Sequence, residues 1–206
     1  MVATVMAAKA TDPPDNPLRY TSVAIALHWS IAALIVFNLS VGFFMEGFAD
    51  PLKNIVVPLH ISSGITVLVL TLLRILWRLT HRPPPLPAEM ARWERVAAHG
   101  AHALLYVLML AMTLTGWSII SAHPPNPHGG PKYWGLFHLP PIPVISHLQL
   151  TVQKAAHERF VQLHSVGAWI FLGLVSLHIA AALKHQFVDR QAELERMGLG
   201  RIRPSG

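Results

Sequence analysis

Four stretches of this 206-residue chain contain no Asp, Glu, Lys or Arg: Val23–Phe44, Ile55–Leu73, Val96–Ile120 and Phe160–Leu183. Each has 19 to 25 residues, and a helix needs roughly 20 to cross a hydrocarbon layer of about 30 Å. Lipid offers backbone amides no partner, so a spanning segment must satisfy them within a helix or in a closed barrel. These windows lack the apolar–polar alternation of a barrel strand. The sequence therefore predicts an all-α protein, a transmembrane four-helix bundle with spans near 23–44, 55–79, 96–120 and 160–183. Only 13% of the residues are charged, about half the fraction of an ordinary soluble domain.

The formal charge of +6 is arranged by side of the membrane rather than in a patch for nucleic acid. With the N-terminus inside, twelve Lys and Arg residues fall on the inner side, among them Arg19, Arg74, Arg78, Arg92, Arg95 and Lys184. The outer side keeps Lys53, Lys132, Lys154 and Arg159. That bias puts the N- and C-termini in the cytoplasm of a multi-pass inner-membrane protein. With no cysteine in the chain, a C-x-x-C-H haem attachment, a Cys-ligated iron–sulfur cluster, a disulfide and a catalytic thiol are all excluded. Residues 1–20 show no signal-peptide pattern and read as a polar cytoplasmic tail ending in TDPPDNP. Residues 21–187 form the membrane domain, and 188–206 a second cytoplasmic tail.

Between spans two and three lies a basic connection containing PPPLP, a stiff extended spacer. A long outer connection, 121–159, follows span three. It holds seven prolines and the histidines His123, His128, His138, His147 and His157. Within it, the region around Val144–Ala156 is expected to form a short interfacial helix.

Six of the thirteen histidines lie inside the charge-free windows. His28 is near the inner end of the first span and His178 near the inner end of the fourth. His60 and His164 are near the outer ends of the second and fourth. At about 1.5 Å per residue, each pair shares one depth. His164 and His178 are 14 residues apart, so they project from one helix face with about 21 Å between them. A lone histidine in a span is usually a packing or hydrogen-bonding residue. Four at two matched depths instead suit two flat haems stacked across the membrane, each gripped by two imidazoles from facing helices. His99 and His102 also lie at the inner level and compete with His28 and His178 for the ligand role.

Gly64 follows His60 by one turn and Gly167 follows His164 by three residues, so each is a candidate for clearing space beside a macrocycle. Ordinary small-residue helix packing explains them equally well. Arg74 lies on the His60 face at the inner end and is the candidate partner of an inner haem propionate, with Arg78 one turn beyond. Snorkelling to the headgroups is its alternative role.

Several of these residues sit in motifs that resemble the bacterial cytochrome b561 family, the small four-helix di-haem type. The resemblance runs from about Tyr20 to Phe187. It rests on ALHW around His28, LHISSGITVLVLTLLRILWRL from His60 through Arg74, HGAH in the third span, and LHSVGAW…SLHIAAALKHQF in the fourth. It implies two non-covalent haem b groups, the inner held by His28 and His178 and the outer by His60 and His164. His99 and His102 are left as near-haem residues. It also implies electron transfer between the quinone pool and a periplasmic-side partner, a small molecule or a protein. Superoxide oxidation with ubiquinone reduction is one version of that activity. The alternative is a haem b membrane anchor of a larger oxidoreductase such as a hydrogenase or formate dehydrogenase. His99, His102 and His157 are the candidate proton acceptors of a quinol site, and assembly as a homodimer is left open. A transporter whose histidines line a pathway would be expected to carry intramembrane acids, and the four windows have none.

Overall fold

The computed structural model describes residues 19–87, 90–123 and 130–200. The tail motif TDPPDNP and His128 fall outside the described residues. Four long helices cross the molecule: α1 (Ser22–Phe44), α2 (Asp50–Thr80), α3 (Arg92–Ser121) and α5 (Leu150–Leu183). All four are long and apolar enough to span a membrane. α4 (Pro143–Ser146) and α6 (Glu193–Arg196) are single turns.

Local chemistry sets the helix starts. The Thr21 hydroxyl accepts from the Ala24 amide at 3.3 Å and caps α1, satisfying one of the orphan donors of a first turn. Pro51 opens α2, where the amide it lacks would have had no partner. In α3 the Glu94 carboxylate reaches back to the Ala91 amide at 3.3 Å. Side-chain bonds then show that the helices alternate in direction. Trp77 Nε1, late in α2, donates to Thr21 Oγ1 before α1 at 3.0 Å. Lys184, after α5, bonds Glu94 at the start of α3. Both described chain ends and the α2–α3 connection therefore share one end of the bundle, here called the basic end.

The closest helix pairings are α3 with α5, α1 with α2, and α2 with α3. Midway along the bundle, Ile31, Ile35, Val67, Met109 and Phe171 make a buried apolar cluster. The buried hydroxyls of Ser62, Ser63 and Thr71 do not break this apolar interior. Ser63 returns its proton to the Leu59 carbonyl at 2.7 Å and Thr71 points at Met109 Sδ, the usual way small polar residues enter helix interfaces in lipid.

Three features differ from the sequence expectations. First, α2, α3 and α5 run beyond their charge-free windows, α5 by ten residues at its start. Charges are excluded only from the hydrocarbon, and a helix continues into water wherever its own hydrogen bonds hold. Second, the Val144–Ala156 region is not one interfacial helix. It breaks after α4, and the remainder joins α5. Before it, Lys132–Tyr133 and Phe137–His138 pair as a two-stranded hairpin, β1 and β2, turning through Trp134 and Gly135 at φ 49° and 76°. The hairpin caps the other end of the bundle by lying on α2. Ser62 Oγ accepts from the Trp134 amide at 3.0 Å, and Thr66 Oγ1 accepts from Trp134 Nε1 at 3.0 Å.

Third, residues 189–200 fold back on the basic end instead of trailing as a free tail. Arg196 is 5% exposed and donates to the carbonyls of Pro85 at 2.7 Å and Pro84 at 3.3 Å. An extended proline run leaves its carbonyls without internal partners, so the PPPLP spacer supplies the acceptors that a buried guanidinium requires. Trp29 Nε1 donates to the Met197 carbonyl at 2.9 Å, tying α1 to the same segment.

Candidate functional site: two levels of paired histidines

The antiparallel arrangement brings the four histidines together in two pairs. Near the basic end the rings of His28 and His178 have their centres 6.3 Å apart. Near the hairpin end the rings of His60 and His164 are also 6.3 Å apart. Both pairs are crossed, at 65° and 79°. Phe171 lies midway between His164 and His178 on α5, so the buried apolar cluster separates the two levels.

At the hairpin-end level each ring backs onto a glycine. A Cβ on Gly42 would stand 3.3 Å from His60 Cε1, and one on Gly116 would stand 3.3 Å from His164 Cε1. His164 Nδ1 pairs with the Thr115 hydroxyl at 3.1 Å. His60 Nδ1 is buried with no hydrogen-bond partner among the described residues. A cavity of about 230 Å3 opens here between the long helices, lined by His60, His164, Asn38, Gly64 and apolar side chains.

At the basic-end level the surroundings are polar and crowded. His102 of α3 stands 5.6 Å from His178, ring centre to ring centre, so three imidazoles share this depth. Arg74 sends Nε to the Tyr106 hydroxyl at 2.9 Å and Nη1 to the Ala24 carbonyl, one turn before His28, at 3.4 Å. His99 turns aside, with Nδ1 on the Arg95 carbonyl at 2.7 Å. Beside His102 a second cavity, of about 380 Å3, is lined by Tyr20, Arg78, Arg95, His99 and the proline run.

Gly64 lines the cavity, where an added Cβ would stand 4.0 Å from Asn38 Oδ1. Gly167 does not clear a site: a Cβ there would meet Met112 Sδ at 2.6 Å, which is close helix packing. The glycines that touch the histidine rings are Gly42 and Gly116, on α1 and α3. Spacing from each histidine along its own helix could not find them, because the ring reaches across to a neighbouring helix. The signal available was a small residue at matched depth on a facing span.

The sequence model for prokaryotic cytochrome b561 matches residues 19–200. The chain belongs to that family. It is 31% identical to cytochrome b561 homolog 2 of Escherichia coli K12 across 89% of this chain and 93% of that protein. It is 38% identical to cytochrome b562 of Cereibacter sphaeroides across 53% of this chain and 73% of that protein. A probable superoxide oxidase of Yersinia pestis matches at 26% across 87% and 95%. The chain is thus a membrane haem protein of the cytochrome b561 family, with haem b as the implied cofactor.

The residues present fit that cofactor. A metal–nitrogen bond of about 2 Å and about 1.1 Å from nitrogen to ring centre would put two trans imidazoles about 6.3 Å apart. Both pairs have that separation. The glycine backing lets the rings of His60 and His164 stand close to neighbouring backbone. Neutral imidazole is the donor suited to a low-dielectric interior, where a charged ligand would be costly.

Proposed function

We propose that this protein is a transmembrane one-electron carrier that binds two haem b groups. In this reading His28 and His178 would hold one haem iron, and His60 and His164 the other. The basic end faces the cytoplasm, following the charge bias of the loops. When bound, a bis-imidazole haem supplies one-electron iron chemistry with no open coordination position. The chain holds the four imidazoles at fixed depth, keeps water from the levels with the Ile35, Val67, Met109 and Phe171 layer, and sets the local charge. Thr115 orients His164 through Nδ1, as partners of metal-ligating histidines do. Arg74 and Arg78 would pair with haem propionates at the basic end. Gly64 leaves room at the hairpin end.

The carrying observation is the repeated 6.3 Å spacing at both levels. Its test is a pyridine haemochrome count on the purified protein. Two haem b per chain is expected, and one or none overturns the assignment.

The carrier would link the quinone pool to a redox partner on the hairpin side. Superoxide is the first donor to test there, given the activity in the name of the Yersinia relative. Haem reduction by a superoxide generator, abolished by superoxide dismutase, supports it. A haem that stays oxidised excludes it and leaves a soluble redox protein. The hairpin end also favours a second reading, the anchor of a larger oxidoreductase. Leu136 and Val144 are 77% and 80% exposed there, and exposed apolar side chains suit a docking subunit. Purification of the chain alone, without a partner, from mild detergent counts against that reading.

A further inference from the structure

The seam between α3 and α5 keeps a seven-residue register along its length. His102 faces His178, and Met109 joins Phe171 in the buried cluster. Gly116 backs His164. One further step outward brings His123 to His157, with ring centres 5.7 Å apart and planes tilted by 53°. His157 lies seven residues before His164, which is about 10.5 Å further along the same face of α5. This last pair lies beyond the charge-free windows and has no part in the haem assignment.

We infer that His123 and His157 form a binding site for an exchangeable divalent first-row metal ion at the hairpin end of the α3–α5 seam. Two arms of about 3.1 Å, each a metal–nitrogen bond plus half a ring, would close a gap of 5.7 Å at an angle of about 130°. That angle lies between tetrahedral and linear, so the ring spacing suits one metal shared by the two imidazoles. His123 is exposed and His157 half-buried, so ions arrive from water. Among the described residues no third His, Asp or Glu completes a cluster here, which leaves positions for water, as in open rather than structural sites. Cu(II) is the favoured ion, because imidazole sites follow the order in which copper binds most tightly.

The other candidate cluster shows the contrast. Glu94, His185 and Asp189 lie close together at the basic end, but the Lys184 ammonium sits 2.7 and 2.8 Å from the two carboxylates. A cation already fills that centre. The His123–His157 pair has no such occupant among the described residues.

The test is a Cu(II) titration of the untagged, haem-loaded, full-length protein in detergent after chelator treatment, read by electron paramagnetic resonance and equilibrium binding. One bound Cu(II) with hyperfine structure from two imidazole nitrogens is expected. It should be lost in His123→Gln and in His157→Gln and kept in His147→Ala. The haem absorption spectrum, recorded on every sample, reports folding and should be the same in all. Equal copper in wild type and both Gln variants, or no bound copper in the wild type, overturns the site whatever the haem count.

Discussion

The two histidine levels have the same ring spacing but opposite surroundings. At the hairpin end, two imidazoles stand alone. They rest on glycine backbones and sit beside an apolar cavity. At the basic end, a third imidazole, a guanidinium and a phenol crowd the same depth. Matched ring spacing can thus coexist with very different surroundings, and it is the groups around a ligand that tune a metal centre. The hairpin-end level is built for fit, and the basic-end level for charge.

The sharpest way to break this comparison is to remove one proposed ligand at each level. His164→Ala should lose one full haem equivalent, because among the described residues no other imidazole stands at that level. His28→Ala should keep part of its haem, because His102 lies 5.6 Å from His178, close to the spacing of the native pair. The double variant His28→Ala with His102→Ala should lose that remainder. Haemochrome counts decide it. Equal losses at both levels would show that His102 is no reserve ligand.

Fit at the hairpin end is tested next. In Gly116→Ala the new methyl group would stand 3.3 Å from a ring that Thr115 holds in place. Overpacking of this kind costs about 1–3 kcal/mol. Gly42→Ala meets His60 at the same distance, but no hydroxyl clamps that ring as Thr115 clamps His164, so it can shift more readily. Gly116→Ala should therefore release haem at lower denaturant than Gly42→Ala, and neither should affect the basic-end haem. The reverse order would mean that the Thr115 contact does not fix the ring.

Charge at the basic end has a smaller, electrical signature. Replacing Arg74 by Gln removes a cation that would favour the reduced form of the haem proposed at this level. The midpoint potential of that haem should fall by on the order of 60 mV, a tenfold change in a one-electron equilibrium. Arg74→Lys should recover most of it, and the hairpin-end haem should not move. Redox titration followed by absorbance separates the two. An equal shift at both levels would place Arg74 outside the local field of either.

Much of this was legible in the sequence, and the reason is physical. A hydrocarbon layer excludes charge over a fixed length, so Val23–Phe44 and its three counterparts are visible as blank windows. Depth and azimuth follow from helix geometry, so His164 and His178 could be placed on one face before any contact was known. What was not legible depends on the facing helix. Gly42 and Gly116 touch histidines on other helices. The hairpin escaped notice because two-residue strands leave no periodic pattern, and its anchors, Ser62 and Thr66, read as ordinary small residues of a span. Arg196 was hidden in an apparent tail, since its acceptors are the carbonyls of a proline run more than a hundred residues away.

The smallest effect expected lies outside both levels, where α3 and α5 are clasped at the basic end. Lys184 bridges Glu94 and Asp189, and His185 Nδ1 meets the same Asp189 carboxylate at 2.7 Å. The Asp189 carboxyl is held below its ordinary value, chiefly by the hydrogen bond from Lys184; desolvation opposes this and His185 adds to it. A carboxyl depressed in the folded state contributes stability that is present above its unfolded value, near 4, and is lost as pH falls through the lower folded value. In thermal unfolding the Asp189 carboxylate should therefore contribute its stability in full at pH 7 and lose it in a small decline below about 4. Added salt should shrink that decline, because the groups are open to solvent. Asp189→Asn should reduce the acid-dependent part, leaving the share of Glu94, which Lys184 also holds low, and should leave the haem absorption intact. A variant with the same acid slope as the wild type would show that the clasp holds by packing of the α5 end, and not by its charges.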